Sequence, residues 1–162
     1  MQSWHRFSSI EWFTIVRNLD ILLNSALEAH RPTLFAYQRV GLNLASVAPD
    51  YDPEPDVVVV DAGNDEERYS NRFYLAAEVV SRSDSKTVVS KREIYKRHPD
   101  CRCVLVIQQD RIEVDLTLLT QDGWTNQRLA RPTDQLVLED FGLRCTLADL
   151  YAGTKLLRSD QR

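Results

Sequence analysis

No apolar run in this 162-residue chain approaches the ~20 residues needed to cross a bilayer. The opening residues, MQSWHRFSSIEWF, lack the apolar stretch and small-residue cleavage site of a secretory signal. The expected compartment is therefore the cytoplasm, with no membrane partner. Cysteine is scarce. Cys101, Cys103 and Cys145 make neither the C-x-x-C of redox and zinc sites nor an even-numbered disulfide framework. Cys101 and Cys103 flank an expected strand start, and alternation predicts both buried on one face. His5, His30 and His98 are not spaced as a ligand set and read as structural or exposed. Positive charge is not in excess: 20 Lys and Arg stand against 24 Asp and Glu, a net charge of −4. That removes a global attraction to nucleic acid and leaves the question to local patches. Repeats, low-complexity tracts and linkers are absent too.

What is present suits one globular domain. Hydrophobic residues make up 43% and charged residues 27%, near the average for a folded soluble chain. A domain of this size buries roughly 70% of its unfolded surface, enough for a core without staples. The charge is uneven. Residues 50–67 hold eight acids and no base, whereas residues 82–98 hold six bases and two acids. On its own this pattern fits a solvated loop followed by a solvated helix.

The apolar positions 12, 15, 16, 19, 22, 23, 26 and 27 follow helical spacing and predict an amphipathic helix over 9–29. Ser8 or Ser9 would cap it and Pro32 would end it. Residues 34–47 alternate loosely, with Gly41 a candidate bulge. After the turn Pro53-Glu-Pro-Asp56, the run Val57–Val60 predicts a central strand buried on both faces. Gly63-Asn-Asp65 marks a polar loop. Residues 73–80 predict a second central strand. A turn over 81–85 follows, with Ser83, Asp84 or Ser85 as a cap, and then a helix over 86–98. Residues 103–108 predict a third buried strand. Residues 111–119 and 123–129 read as a hairpin around Gln121-Asp-Gly123. A short strand at 135–138 and a helical turn at 146–152 close the chain. The expected class is α/β, with a central mixed sheet flanked by helices.

Two carboxylates interrupt the apolar strands. Asp56 opens Val57–Val60, and Glu78 sits inside Leu75-Ala-Ala-Glu-Val-Val80. A buried carboxylate is costly unless paired, hydrogen-bonded or bound to a cation. A helical wheel with Val88 at its origin puts Lys91 in the arc that should face the sheet, among Thr87, Ile94, Tyr95 and His98. An inward lysine calls for an acidic partner or a function. Two carboxylates near one end of adjacent strands can hold Mg²⁺ or Mn²⁺ through oxygen, and a nearby ammonium can serve an attacking water or a phosphate transition state. Turn chemistry at Asp56 and a plain Glu78–Lys91 salt bridge are the structural alternatives.

Pro55-Asp56-Val-Val-Val-Val, Ala77-Glu78-Val-Val-Ser81 and Lys91-Arg-Glu-Ile-Tyr95 together resemble the signature of a large bacterial family of restriction-endonuclease type, within the PD-(D/E)xK superfamily. The resemblance covers residues 50–152, with Cys103-Val-Leu-Val-Ile as the next core strand. It implies a restriction-endonuclease-like core and a Mg²⁺- or Mn²⁺-dependent endonuclease acting on nucleic acid, most naturally DNA. It implies Asp56, Glu78 and Lys91 as catalytic residues. Asp56, Glu78 and the Val79 carbonyl would be metal ligands, and Tyr95 would orient the lysine. The superfamily's usual lysine position is occupied here by Val80, and Lys91 on the following helix would replace it. Arg82 and Lys86 are expected to bind substrate, and a homodimer would address two strands. In two respects the chain departs from the family. The expected first helix follows almost directly on the first residues given, so the family's preceding β-hairpin is not expected here. Trp12 also falls where members often carry a histidine, beside Glu11. A domain that keeps the fold but acts by binding alone is the alternative, distinguished by whether Asp56 and Glu78 bind metal.

Overall fold

The structure, a computed structural model, describes residues 9–62 and 69–160. His5, Ser8 and the Gly63-Asn-Asp65 loop lie outside the described residues. Helix α1 spans Ile10–His30, and the Ser9 hydroxyl accepts the Trp12 N–H at 3.0 Å as its cap. Its apolar stripe buries Trp12, Ile15, Val16, Leu19, Leu23 and Leu27. The chain then turns at Pro32 into β1 (Leu34–Gln38) and a two-residue β2 (Gly41–Leu42). Next come β3 (Val57–Asp61), a two-residue β4 (Tyr69–Ser70) and β5 (Leu75–Val80). Helix α2 covers Ser85–Arg97. It leads to β6 (Cys103–Gln108), then the hairpin β7 (Val114–Thr120) and β8 (Gly123–Leu129). A second hairpin, β9 (Gln135–Leu138) and β10 (Leu143–Thr146), is followed by α3 (Leu147–Leu150) and α4 (Lys155–Asp160). Among the described residues no helix is long and apolar enough to cross a membrane.

Six strands form the main sheet in the order β1-β3-β5-β6-β7-β8. All neighbours are antiparallel except β5 and β6. A parallel pair needs a crossover, and α2 supplies it. The expected α/β class with a mixed, helix-flanked sheet is what the chain adopts. Val57–Val60 are all buried because the sheet is covered twice. Val57 and Val59 pack with α1, the second hairpin and α3, while Val58 and Val60 pack with Tyr95 of α2 and with Leu42, Leu44 and Phe73. Leu75, Ala77 and Val79 point to the α1 side and Ala76 to the α2 side, so alternation sends Glu78 to the α2 side too.

Several local expectations change. Gly41 is no bulge: it pairs with Tyr69 in a parallel bridge that forms a separate two-stranded ribbon. β10 and α4 add elements beyond those expected from the pattern. Cys101 and Cys103 are both buried thiols, yet they lie in opposite cores, because β6 begins only at Cys103 and the alternation does not reach back to Cys101. Asp84 stands at the α2 N-cap without a side-chain cap bond. Its Oδ2 instead accepts the Ser81 N–H at 3.1 Å and the Ser81 hydroxyl at 3.0 Å, tightening a 3-10 turn over Arg82–Asp84. His98 is structural, with Nε2 2.8 Å from the Asn71 carbonyl. On α2, Thr87 is exposed, whereas Val88 and Tyr95 are buried and Lys91 is half-buried. The inward arc is therefore rotated towards Arg92 and Lys96.

Candidate active site

Asp56 sits where β3 stops pairing. The β3–β5 ladder runs out at Val57 opposite Ala77, so the next outward N–H on β5, that of Val79, has no strand partner. The Asp56 carboxylate replaces the missing strand: its Oδ2 accepts the Val79 N–H at 2.7 Å. The Trp12 side chain gives this carboxylate a second hydrogen bond, from the indole N–H. Burial pushes the Asp56 carboxyl above its usual range, while these two donors and the charges of Lys91 and Arg39 pull it back. Arg39, in the left-handed region at φ 58°, lays its guanidinium over the Trp12 ring at 5.8 Å from the centroid.

Glu78 reaches the α2 side and is 4% exposed. Its Oε2 accepts the Tyr95 hydroxyl at 2.7 Å, and its Oε1 lies 3.7 Å from the Lys91 ammonium. Burial and the negative charge of Asp56 push the Glu78 carboxyl up to about 7, against the opposing effects of Lys91 and Tyr95. Tyr95 is held far above the ordinary tyrosine range by burial and by Glu78, so it remains a hydrogen-bond donor. Val80, two residues after Glu78, packs with Val88 and Val106. The amine beside Glu78 thus comes from α2 and not from the strand.

Asp56, Glu78, Lys91, Tyr95 and the Val79 backbone therefore meet at one end of the β3–β5 pair. Arg82 and Lys86 do not join them. Both are exposed on the turn and first helical residues after β5, and the Arg82 N–H donates to Asp110 Oδ2 at 3.2 Å. Trp12, Arg39 and Tyr51 are contributors that the motif reading did not assign to the site. Tyr51 is raised by burial and by the charge of Glu78. Their signal is tertiary: a helix start, a left-handed turn residue and a loop residue share no spacing. Trp12→Phe, which keeps the ring and deletes the N–H, should raise the Asp56 pKa and cost about 1 kcal/mol. Carboxyl NMR titration with thermal melts reads both, and an unshifted Asp56 would mean the indole bond is absent.

The two carboxylates offer hard oxygen donors close enough for the charge of Asp56 to raise Glu78, an effect smaller than that of burial and opposed by Lys91. That donor set fits Mg²⁺ or Mn²⁺. Among the described residues no group of three or more His, Cys, Asp or Glu side chains forms a metal cage. Further ligands would have to come from backbone, water or substrate, as is common for Mg²⁺.

A solved structure from Anabaena variabilis ATCC 29413, described as a "putative nuclease belonging to DUF820", superposes with a TM-score of 0.71. It is 17% identical, over 91% of this chain and 83% of that one, a likeness of fold. No curated protein matches the chain. The sequence profile of the Uma2 family, described as "Putative restriction endonuclease", matches residues 9–148. With the profile spanning both central strands, α2 and the candidate site, the chain belongs to the Uma2 restriction-endonuclease family.

Proposed function

We propose that this protein is a nuclease hydrolysing phosphodiester bonds of DNA with a Mg²⁺ or Mn²⁺ ion held by Asp56, Glu78 and the Val79 carbonyl. The observation that carries this reading is the meeting of two carboxylates, one just ahead of β3 and one inside β5, with the Lys91 amine. In a strand, a residue's N–H and C=O point the same way. The Val79 carbonyl thus faces the Asp56 side along with its N–H, which supports it as a third ligand. When bound, the cation supplies an acidified water and neutralises phosphate charge. The chain's own residues do the rest. Val79 N–H and the Trp12 indole fix the Asp56 carboxylate, and Tyr95 fixes Glu78 through Oε2. The Lys91 amine lies 3.7 Å from Glu78 Oε1, placed to donate to a phosphate oxygen as negative charge builds there. Arg82 and Lys86 are read as backbone-phosphate contacts beside this centre. The chain is read as one nuclease-like domain acting in the cytoplasm, with a second copy addressing the opposite strand of a duplex.

Supercoiled plasmid incubated with Mg²⁺ or Mn²⁺ tests the reading. Wild-type protein should nick or linearise it, and Asp56→Asn should be slower by about 10³-fold or more. Equal cleavage by both proteins would assign the activity to a contaminant and remove the reading.

A further inference from the structure

β7 and β8 carry the sheet beyond β6 on the face that bears Glu78 and Lys91. Asp115 stands opposite Val106, and Val106 packs with Val80 of β5 and Val88 of α2. Alternation therefore puts Glu113 and Asp115 on the α2 face, with Arg128 joining them opposite Asp115. Glu113, one residue ahead of β7, is 6% exposed. Arg111 grips both its oxygens, Nε at 3.3 Å from Oε1 and Nη2 at 3.1 Å from Oε2, and Arg128 Nη2 bonds Oε1. The arginines stay outside: the Arg128 side chain is 66% exposed and that of Arg111 32%.

Arg128 is the more exposed of the two guanidiniums, pinned at the surface with only one of its nitrogens bonded to the carboxylate. Asp115 is half-buried, its carboxyl raised by burial and by Glu113 and lowered by Arg92 of α2, Arg128 and Arg111. Glu113 is thus interior and its two guanidiniums reach the surface, with Asp115 half-buried and Asp110 exposed beside them. The turn carrying Arg111 is also tied to the candidate site's rim. Asp110 accepts the Arg82 N–H at 3.2 Å through Oδ2 and lies 3.4 Å from Arg111 Nη1 through Oδ1. From β5 to β8, which carries Arg128, is three strand spacings, about 14 Å, the scale on which nearby phosphates of a nucleic acid follow the one being cut.

We propose that Arg111 and Arg128, held side by side on Glu113, form a backbone-phosphate anchor for nucleic acid beside the cleavage centre. This rests on the nuclease reading. An arginine pair fixed by a buried carboxylate suits phosphate because its planar donors are already oriented before the ligand arrives.

The test is binding of a fluorescent DNA duplex with Ca²⁺ replacing Mg²⁺, followed by anisotropy across a salt series. Arg128→Gln should bind about tenfold more weakly near 0.1 M salt and lower the slope of log K against log salt by about 0.9, one phosphate contact. The Arg111→Gln/Arg128→Gln pair should lower it by about twice that. Thermal melts check that both variants remain folded. Wild-type plasmid cleavage combined with unchanged affinity and slope in both variants would overturn the anchor alone. Wild-type protein that neither binds the duplex nor cleaves plasmid would overturn the anchor together with the nuclease reading.

Discussion

Lys91→Met is expected to lower DNA cleavage by about 10³-fold, the usual cost of removing a preorganised charge from a developing oxyanion. Methionine keeps much of the lysine stem, so the packing of this half-buried position on α2 changes little, and the ammonium 3.7 Å from Glu78 is lost. Metal binding should behave differently from catalysis. Lys91 repels a cation placed between Asp56 and Glu78, so the variant should bind Mn²⁺ at pH 8.5 at least as tightly as wild type. Loss of cleavage with retained metal binding separates a lysine that acts on the reacting phosphate from one that only neutralises a buried glutamate. Cleavage within a few fold of wild type would assign Lys91 the second role.

Glu78→Gln should stabilise the metal-free protein at pH 8 relative to wild type. The Glu78 carboxyl is pushed from about 4.5 in the unfolded chain to about 7 in the fold, chiefly by burial and then by Asp56. Between these values the folded state holds a proton that the unfolded state has released. The wild-type contribution is therefore most favourable below pH 4.5, declines as pH rises through 7, and is flat above. The full shift corresponds to at most about 3 kcal/mol, or several degrees of Tm. Glutamine removes this pH dependence and still accepts the Tyr95 hydroxyl. Melting curves of both proteins at pH 5 and pH 8 should therefore diverge at the higher pH. Mg²⁺ at pH 8 should raise the wild-type Tm and leave Glu78→Gln unmoved. Parallel curves at both pH values would mean that Glu78 is charged throughout.

The strands and helices that frame the site were legible because burial imposes a period. α1 repeats at helical spacing, and the double covering of the sheet makes Val57–Val60 and Cys103–Ile107 unbroken apolar runs. Against such runs Asp56 and Glu78 stood out as polar exceptions, and the spacing of α2 turned Lys91 towards them. Arg39 and Tyr51 left no comparable trace, and Trp12 only as the residue at the family's histidine position, because their approach to Asp56 or Glu78 depends on how α1 and two loops close over the sheet end. Glu113 was equally hidden. In sequence it sits among ordinary hairpin charges, and only the register of β7 with β8 brings Arg128 onto the carboxylate that already holds Arg111. Cys101 shows the converse error, a period extended two residues past the strand that generates it.

Titration of the metal-free protein with Mn²⁺ at pH 8, followed by calorimetry or by the EPR signal of free Mn²⁺, tests the site most directly. One ion per chain should bind wild-type protein, and Asp56→Asn and Glu78→Gln should each abolish that binding. Equal Mn²⁺ uptake by all three proteins, or none by wild type, would contradict a metal centre built on these two carboxylates.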